Sequence, residues 1–129
     1  AIDGYAFKSC IGLSSVSLPS TLETIGESGF YGCTGITEIT IPKNVKKLDG
    51  YAFSRCTNLN TVNFTGDAPS IGNYAFNGVK TTAYYPSGNE TWNLYITAQN
   101  YGGTIIWKEA DMKENTIKTN DSLLFQMIQ

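Results

Sequence analysis

The three cysteines, Cys10, Cys33 and Cys56, carry the most reactive side chains of this 129-residue chain, at intervals of 23 residues. Zinc sites usually pair ligands at short spacing, often with histidine, and the chain has neither such a pair nor any histidine. One disulfide stays open as an alternative, because parallel strands about 4.8 Å apart fall within the Cα range of a bridge. We predict buried thiols that fill a repeated position, and no metal or other cofactor.

Nucleophilic catalysis by a Ser–His or Cys–His pair is excluded, because the chain has no histidine. The 11 acidic residues include candidates for the carboxylate pair of a glycoside hydrolase. No pattern predicts a cleft that would desolvate two of them, so we interpret them as solvated surface and predict no enzyme. These candidates are Asp3, Glu23, Glu27, Glu38, Asp49 and Asp67.

The charge balance limits the partners. The net charge is −2 and the isoelectric point is about 5.0, whereas nucleic acids and anionic membranes usually attract basic faces. No stretch approaches the roughly 20 apolar residues of a membrane-spanning helix. We therefore expect no nucleic-acid binding and no membrane insertion, and a monomer or only weak self-association. The absence of a signal peptide at the start leads us to expect a fragment of a longer protein.

An internal repeat must position all of these side chains, since a 23-residue unit recurs about three and a half times. Residues 13–18 predict a strand with Val16 and Leu18 buried, because they lie two apart, and Pro19 should end it. A second extended piece and a short helical turn complete the coil. The positions that hold the register are Phe7, Phe30, Phe53 and Phe76, then Ile2, Ile25, Leu48 and Ile71, then Val16, Ile39 and Val62.

Stacked coils bury one another's apolar sides, so the outer face of the strand sheet becomes the candidate ligand-binding site. Its outward positions carry short hydrogen-bonding side chains in columns, which suit a protein or a glycan partner. They are Ser14, Ser15, Ser17, Thr37, Glu38, Thr40, Asn60, Thr61 and Asn63. A second column, Tyr5, Tyr51 and Tyr74, resembles interface anchors, but partial burial at the corner explains it equally well.

The 23-residue register fades from residue 84, so we predict repeats over 1–83 and a C-terminal cap over 84–107. A helix over 91–101 and a strand over 104–107 would cover the exposed edge of the last coil. The predicted helical stripe is Trp92, Tyr95, Ile96 and Gln99. Residues 108–129 are interpreted as a polar linker to Asp121, then an apolar segment, 122–128, from another domain or an edge strand.

The unit at residues 13–33 resembles the BspA-like leucine-rich repeat, also described as the Treponema pallidum type. Its most diagnostic motifs are Ile-Gly-x-x-Ala/Gly-Phe at 25–30 and 71–76, and Tyr-Ala-Phe at 5–7, 51–53 and 74–76. The segments 82–92 and 101–107 look like the closing cap of surface proteins in this family, so the resemblance covers 1–107. Val79 departs from it, where cysteine would stand.

The resemblance implies an α/β, short and curved leucine-rich-repeat solenoid with a helix–strand cap. It also implies a secreted or cell-surface bacterial protein that takes part in adhesion to host or bacterial proteins or glycans, with no catalytic residues to transfer. We therefore predict a non-catalytic binding module that uses the sheet face. The alternative is a structural spacer that holds another domain or a wall anchor.

Overall fold

Successive coils of the chain stack so that their strands run parallel, as an internal repeat requires. The structure, a computed structural model, describes residues 1–111. A large sheet has the order β2-β4-β6-β7 and a small sheet has the order β1-β3-β5. The large sheet comprises β2 (Glu38–Ile41), β4 (Thr61–Phe64), β6 (Lys80–Pro86) and β7 (Thr104–Ala110). The small sheet comprises β1 (Thr24–Ile25), β3 (Lys47–Leu48) and β5 (Ser70–Ile71).

Both sheets bury one face against a shared core, which confirms the predicted parallel-strand leucine-rich-repeat solenoid. In β2, Ile39 and Ile41 point inward and Glu38 and Thr40 point outward. Pro42 follows directly, and β2 ends before it because proline donates no ladder hydrogen bond. Each coil thus has two sheet sides and a corner as its third.

A continuous stack of phenylalanine rings forms the core beneath the corners. The ring centroids of Phe7 and Phe30 are 5.2 Å apart, those of Phe30 and Phe53 5.3 Å, and those of Phe53 and Phe76 5.7 Å. Adjacent ring planes deviate by 9° at most. Equivalent positions of parallel coils must lie one above another, so the repeat spacing itself creates this stack.

The corners are rows of tight turns, where the sequence predicts a helical turn. Within the corner of the second coil, the amide of Gly29 donates to Gly26 O at 3.0 Å. The next amide, that of Phe30, donates instead to Ala52 of the following coil at 2.8 Å. A phenylalanine and a cysteine three residues apart can share one face of either a helical turn or a series of tight turns, so this spacing does not distinguish the two backbone structures. A helix would keep every amide for its own turn, whereas here alternate amides join neighbouring coils.

The first coil lacks the strand predicted from Val16 and Leu18. Residues 14–18 join neither sheet, and both predicted core residues are only half-buried. Within the described residues, the first coil has a neighbour on one side only, and the isolated bridge between Ile2 and Ile25 is its sole strand pairing. Apolar alternation alone does not form a strand when no ladder of hydrogen bonds supports it.

The C-terminal cap is present, but its elements differ from their predicted bounds. Helix α1 covers only Leu94–Thr97, with Asn93 as its N-cap. Tyr95, predicted on the buried stripe, is 81% exposed. Strand β7 continues to Ala110, so the linker predicted from residue 108 begins in a strand. The predicted segment 122–128 lies outside the described residues.

The side chains of Trp92 and Trp107, rather than the packing of a long helix, hold the cap in place. The indole of Trp92 is buried, and its Nε1 donates to Gly66 O at 2.9 Å. Trp107 Nε1 donates to Gln99 O at 3.0 Å. Both rings pack against Phe64, the last residue of β4. Each indole thus buries a large apolar surface while its polar atom finds a partner.

Replacing Phe53 with alanine tests the ring stack. Phe53 is fully buried between two ring partners, so we expect the free energy of unfolding in urea to fall by about 3–5 kcal/mol. Phe7→Ala is the control: that ring is 39% exposed with one partner, and we expect a loss of about 1–2 kcal/mol. Phe53→Leu should cost about 1 kcal/mol. Equal losses at positions 53 and 7 would contradict a continuous stack.

Candidate functional surface

The outward face of the large sheet brings polar side chains into two rows that are fixed by strand register. In the first row, Glu38 pairs with Thr61 and Thr61 with Thr82, which in turn pairs with Ile106. Side chains at paired positions of neighbouring parallel strands point to the same face, at strand spacings of about 4.8 Å. We call Glu38, Thr61, Thr82 and Ile106 the first outer row.

The second outer row lies two residues further along each strand. It comprises Thr40, Asn63, Tyr84 and Lys108, which the register of the large sheet pairs in that order. Tyr84 is half-buried, so its ring adds apolar area between an amide and an ammonium group. The two rows together present hydroxyl, amide, apolar and aromatic groups on a hydrogen-bonded backbone.

The structure places the predicted site residues in three groups. Glu38, Thr40, Thr61 and Asn63 belong to the outer rows. Thr37 and Asn60 directly precede β2 and β4, and the amide of Asn60 donates to Thr37 O at 2.9 Å. The third group, Ser14, Ser15 and Ser17, is exposed but belongs to no sheet, because the first coil forms no strand there. These serines lie outside the strand ladder, although Ser17 lines a shallow depression together with Thr40.

Sequence reasoning missed four residues of this face, namely Thr82, Tyr84, Ile106 and Lys108. The cause is a change of coil length, since Thr61 pairs with Thr82, 21 positions later, and Lys80 with Thr104, 24 positions later. A fixed step of 23 therefore misaligned the last two strands. The signal available in the sequence was the run of β-formers, Thr81 to Tyr85, around the inward Ala83.

A shallow depression of about 290 Å³ lies at the edge of the first outer row. Asn60, Lys80, Thr82, Thr104 and Ile106 line it. Ile106 is 55% exposed, and Asn60 accepts a hydrogen bond from the Thr61 hydroxyl at 3.0 Å. This part of the face thus combines a small apolar centre with a polar rim, the usual arrangement of protein-binding surfaces.

The cysteines form a ladder of hydrogen-bonded thiols. Cys33 Sγ donates to Phe7 O and Cys56 Sγ donates to Phe30 O, each at 3.0 Å. Both side chains are fully buried, as predicted, whereas Cys10 is only partly buried. All three thiols are unbridged. Among residues 1–111, no group of three or more cysteine, aspartate or glutamate side chains is placed to hold a metal ion.

Burial controls the acidity of the ladder. It raises the pKa of the Cys33 thiol and raises the pKa of the Cys56 thiol to about 12. In each case a hydrogen bond from the backbone of the preceding cysteine, Cys10 or Cys33, lowers the pKa by less, and the charge of that cysteine raises it slightly. Thiolate is the reactive form of cysteine, so the ladder fills space and bonds coils together rather than performing chemistry.

The tyrosine column occupies the outside of the corners, and each member has a positive φ, between 57° and 63°. Tyr51 and Tyr74 stack with their ring centroids 5.5 Å apart and are 39% and 51% exposed. Tyr5 is separated from these two rings because the equivalent position of the intervening coil holds Ser28. The Lys8 ammonium lies 5.4 Å from the Tyr5 ring. The column is therefore interrupted, unlike the phenylalanine stack.

Parallel coils, a buried phenylalanine stack and a polar sheet face define a leucine-rich-repeat protein. A sequence profile described as "BspA type Leucine rich repeat region" matches residues 1–100 with six copies. The chain belongs to this BspA-type leucine-rich-repeat family, which is typically a non-catalytic repeat scaffold. Within the described part of the chain, no helix is long and apolar enough to cross a membrane.

One solved structure shares this fold. The crystal structure of the pneumococcal vaccine antigen PcpA superposes with a TM-score of 0.55 at 22% identity, covering 82% of this chain and 33% of that one. A leucine-rich repeat protein from Bacteroides ovatus has a TM-score of 0.40 at 19% identity, with coverages of 84% and 42%. The chain therefore spans less than half the length of either. No curated protein matches its sequence significantly.

Alkylation of the native protein tests the thiol ladder. We expect iodoacetamide to modify Cys10 alone, as counted by intact-mass spectrometry, and to modify Cys33 and Cys56 only after unfolding. Even at pH 9.0, the ordinary thiol pKa, Cys56 should stay protonated while folded, because its pKa is about 12. A Cys10→Ser variant serves as the control and should gain no label. Native labelling of Cys56 as fast as of Cys10 would contradict the ladder.

Proposed function

We propose that this chain is a non-catalytic protein-binding module of a secreted or cell-surface bacterial protein, and that the outer rows of the large sheet contact the partner. The observation that carries the proposal is the strand register, which aligns the outward side chains of all four strands of that sheet. Family membership and the fold shared with PcpA, a vaccine antigen, support it. Adhesion is the biological role that we propose for such binding.

The rigidity of the outer rows favours binding without a conformational change. Their backbone is held by parallel ladders, and half of their side chains are threonine or asparagine, which lose little side-chain entropy when a partner docks. Thr40 and Asn63 lie side by side in this arrangement. Tyr84 and Ile106 add the apolar and aromatic area that dominates the energy of many interfaces.

The chemistry of the face favours a protein over a glycan. The charged groups of the outer rows, Glu38 and Lys108, lie on opposite edge strands of the large sheet. Lys80 of the middle strand β6 adds a positive charge beside the depression. Ile106 stands 55% exposed beside the depression. An exposed aliphatic side chain at the centre of a polar rim suits an apolar side chain of a protein partner.

Biolayer interferometry against purified serum, extracellular-matrix and bacterial surface proteins, with a glycan array in parallel, tests this proposal. For the protein that binds, we expect Tyr84→Ala to raise the Kd about tenfold or more. The combined change of Thr37, Thr40, Asn60 and Asn63 to Ala should also weaken binding. Circular dichroism checks that both variants fold.

Glu23→Ala combined with Lys46→Ala is the matched control for that experiment. Both side chains are exposed next to the small sheet, and their joint removal leaves the net charge unchanged. We expect it to bind like the original chain. Binding that survives all sheet-face changes would contradict this surface, and no binding to any protein would favour the structural spacer. Recognition of glycans alone through the same residues would contradict the protein partner.

A further inference from the structure

A second concave surface lies between the cap helix α1 and the small sheet, away from the outer rows. It is a cleft of about 490 Å³, within the roughly 300–1,000 Å³ of small-molecule sites. Pro69 and Ser70 line one side, at and before β5. Tyr95 and Gln99 line the other, from α1 and just beyond it. Neither the sheet-face proposal nor the family assignment involves this cleft.

The lining is uncharged throughout. It consists of small apolar residues, hydroxyls, amides and two tyrosines, with no lysine, arginine, aspartate or glutamate among them. A charged ligand would lose its hydration here without gaining an opposite charge, so the cleft disfavours ions, phosphates and acidic sugars. A ligand that fits must be electrically neutral.

Polar groups in the cleft have unused hydrogen-bonding capacity. Among residues 1–111, the side chains of Ser70 and Asn73 form no hydrogen bond. Gln99 uses its amide nitrogen to donate to Tyr95 O at 2.8 Å, which leaves its side-chain oxygen as an acceptor. One hydroxyl, one carboxamide and one amide oxygen therefore face the cleft as donors and acceptors.

Two hydrogen bonds to the Ile96 backbone fix the turn that carries the aromatic wall of the cleft. Tyr95 is 81% exposed although it lines the cleft, so one part of its side chain is available to a ligand. Tyr101 beside it donates its hydroxyl to Ile96 O at 3.2 Å, which attaches the helix to the strand that follows. Asn93, the N-cap residue of α1, fixes the same turn, because its side chain accepts a hydrogen bond from the Ile96 amide at 3.3 Å.

We propose that this cleft binds a neutral saccharide. A pyranose ring has an apolar face of C–H groups and a rim of hydroxyls. The Tyr95 ring would stack on the apolar face, and Ser70, Asn73 and Gln99 would exchange hydrogen bonds with the rim. A proline-rich peptide, which also binds aromatic grooves, needs an aromatic-lined track, and the second tyrosine here is already committed to Ile96.

A glycan array probed with the full chain, followed by isothermal titration calorimetry with the neutral oligosaccharides that bind, tests the assignment. We expect Tyr95→Ala to raise the Kd about tenfold, and Asn73→Ala to weaken binding as well. Tyr95→Phe keeps the ring and should bind nearly as well as the original chain. Leu94→Ala is the matched control, because Leu94 is equally exposed on α1 but lies outside the cleft.

Several outcomes would overturn the assignment. They are no neutral saccharide bound at millimolar concentration, binding that survives Tyr95→Ala, or a preference for sulfated or sialylated glycans. A proline-rich peptide that binds in a Tyr95-dependent manner, in place of sugars, would overturn it too. Because Tyr84→Ala leaves the cleft intact, it should not alter saccharide binding. The failure of this site and the failure of the protein-binding face are therefore separate results.

Discussion

The hydrogen bonds that alternate corner amides donate to the next coil are the constraint on which the rest of the structure depends. Phe30 donates to Ala52 and Phe53 donates to Ala75, each at 2.8 Å, so every coil is tied to its neighbour at the same place. This attachment fixes the step between coils. The ring stack, the thiol ladder and the sheet register are consequences of that step, because equivalent side chains then lie one above another. Glycine permits close approach between neighbouring coils: a Cβ on Gly72 would lie 2.5 Å from Gly50 N.

The same constraint produces the exposed rows of side chains. A stack of parallel coils buries its apolar groups on the inside and leaves its polar groups in rows on the outside. The buried thiols show the effect most clearly, since the position that holds Cys56 also raises its pKa and removes its reactivity. We propose that recognition uses the outer rows of the large sheet and the cleft where the cap departs from the repeat.

The buried positions of the repeat could be predicted from the sequence, whereas the backbone of the corners and the unique parts could not. Residues that recur with the repeat, such as Phe30 and Ile39, are predicted to be buried, because an apolar side chain occupies the same position in each coil. The corner escaped prediction because residue spacing cannot show that alternate amides bond outward. Tyr84 escaped because the coil length changes between β4 and β6, and only pairing in three dimensions reveals the new register. Tyr95 escaped because Trp92, not a helical stripe, anchors the cap.

Residue-resolved amide hydrogen exchange, followed by NMR on the native protein, tests the central claim most directly. If corner hydrogen bonds tie the coils together, the amides of Phe30 and Phe53 should open only on global unfolding and exchange as slowly as those of β4. The amides of Ser15 and Ser17, which belong to no sheet, should exchange much faster. Exchange of Phe30 and Phe53 as fast as the first-coil serines would contradict the account.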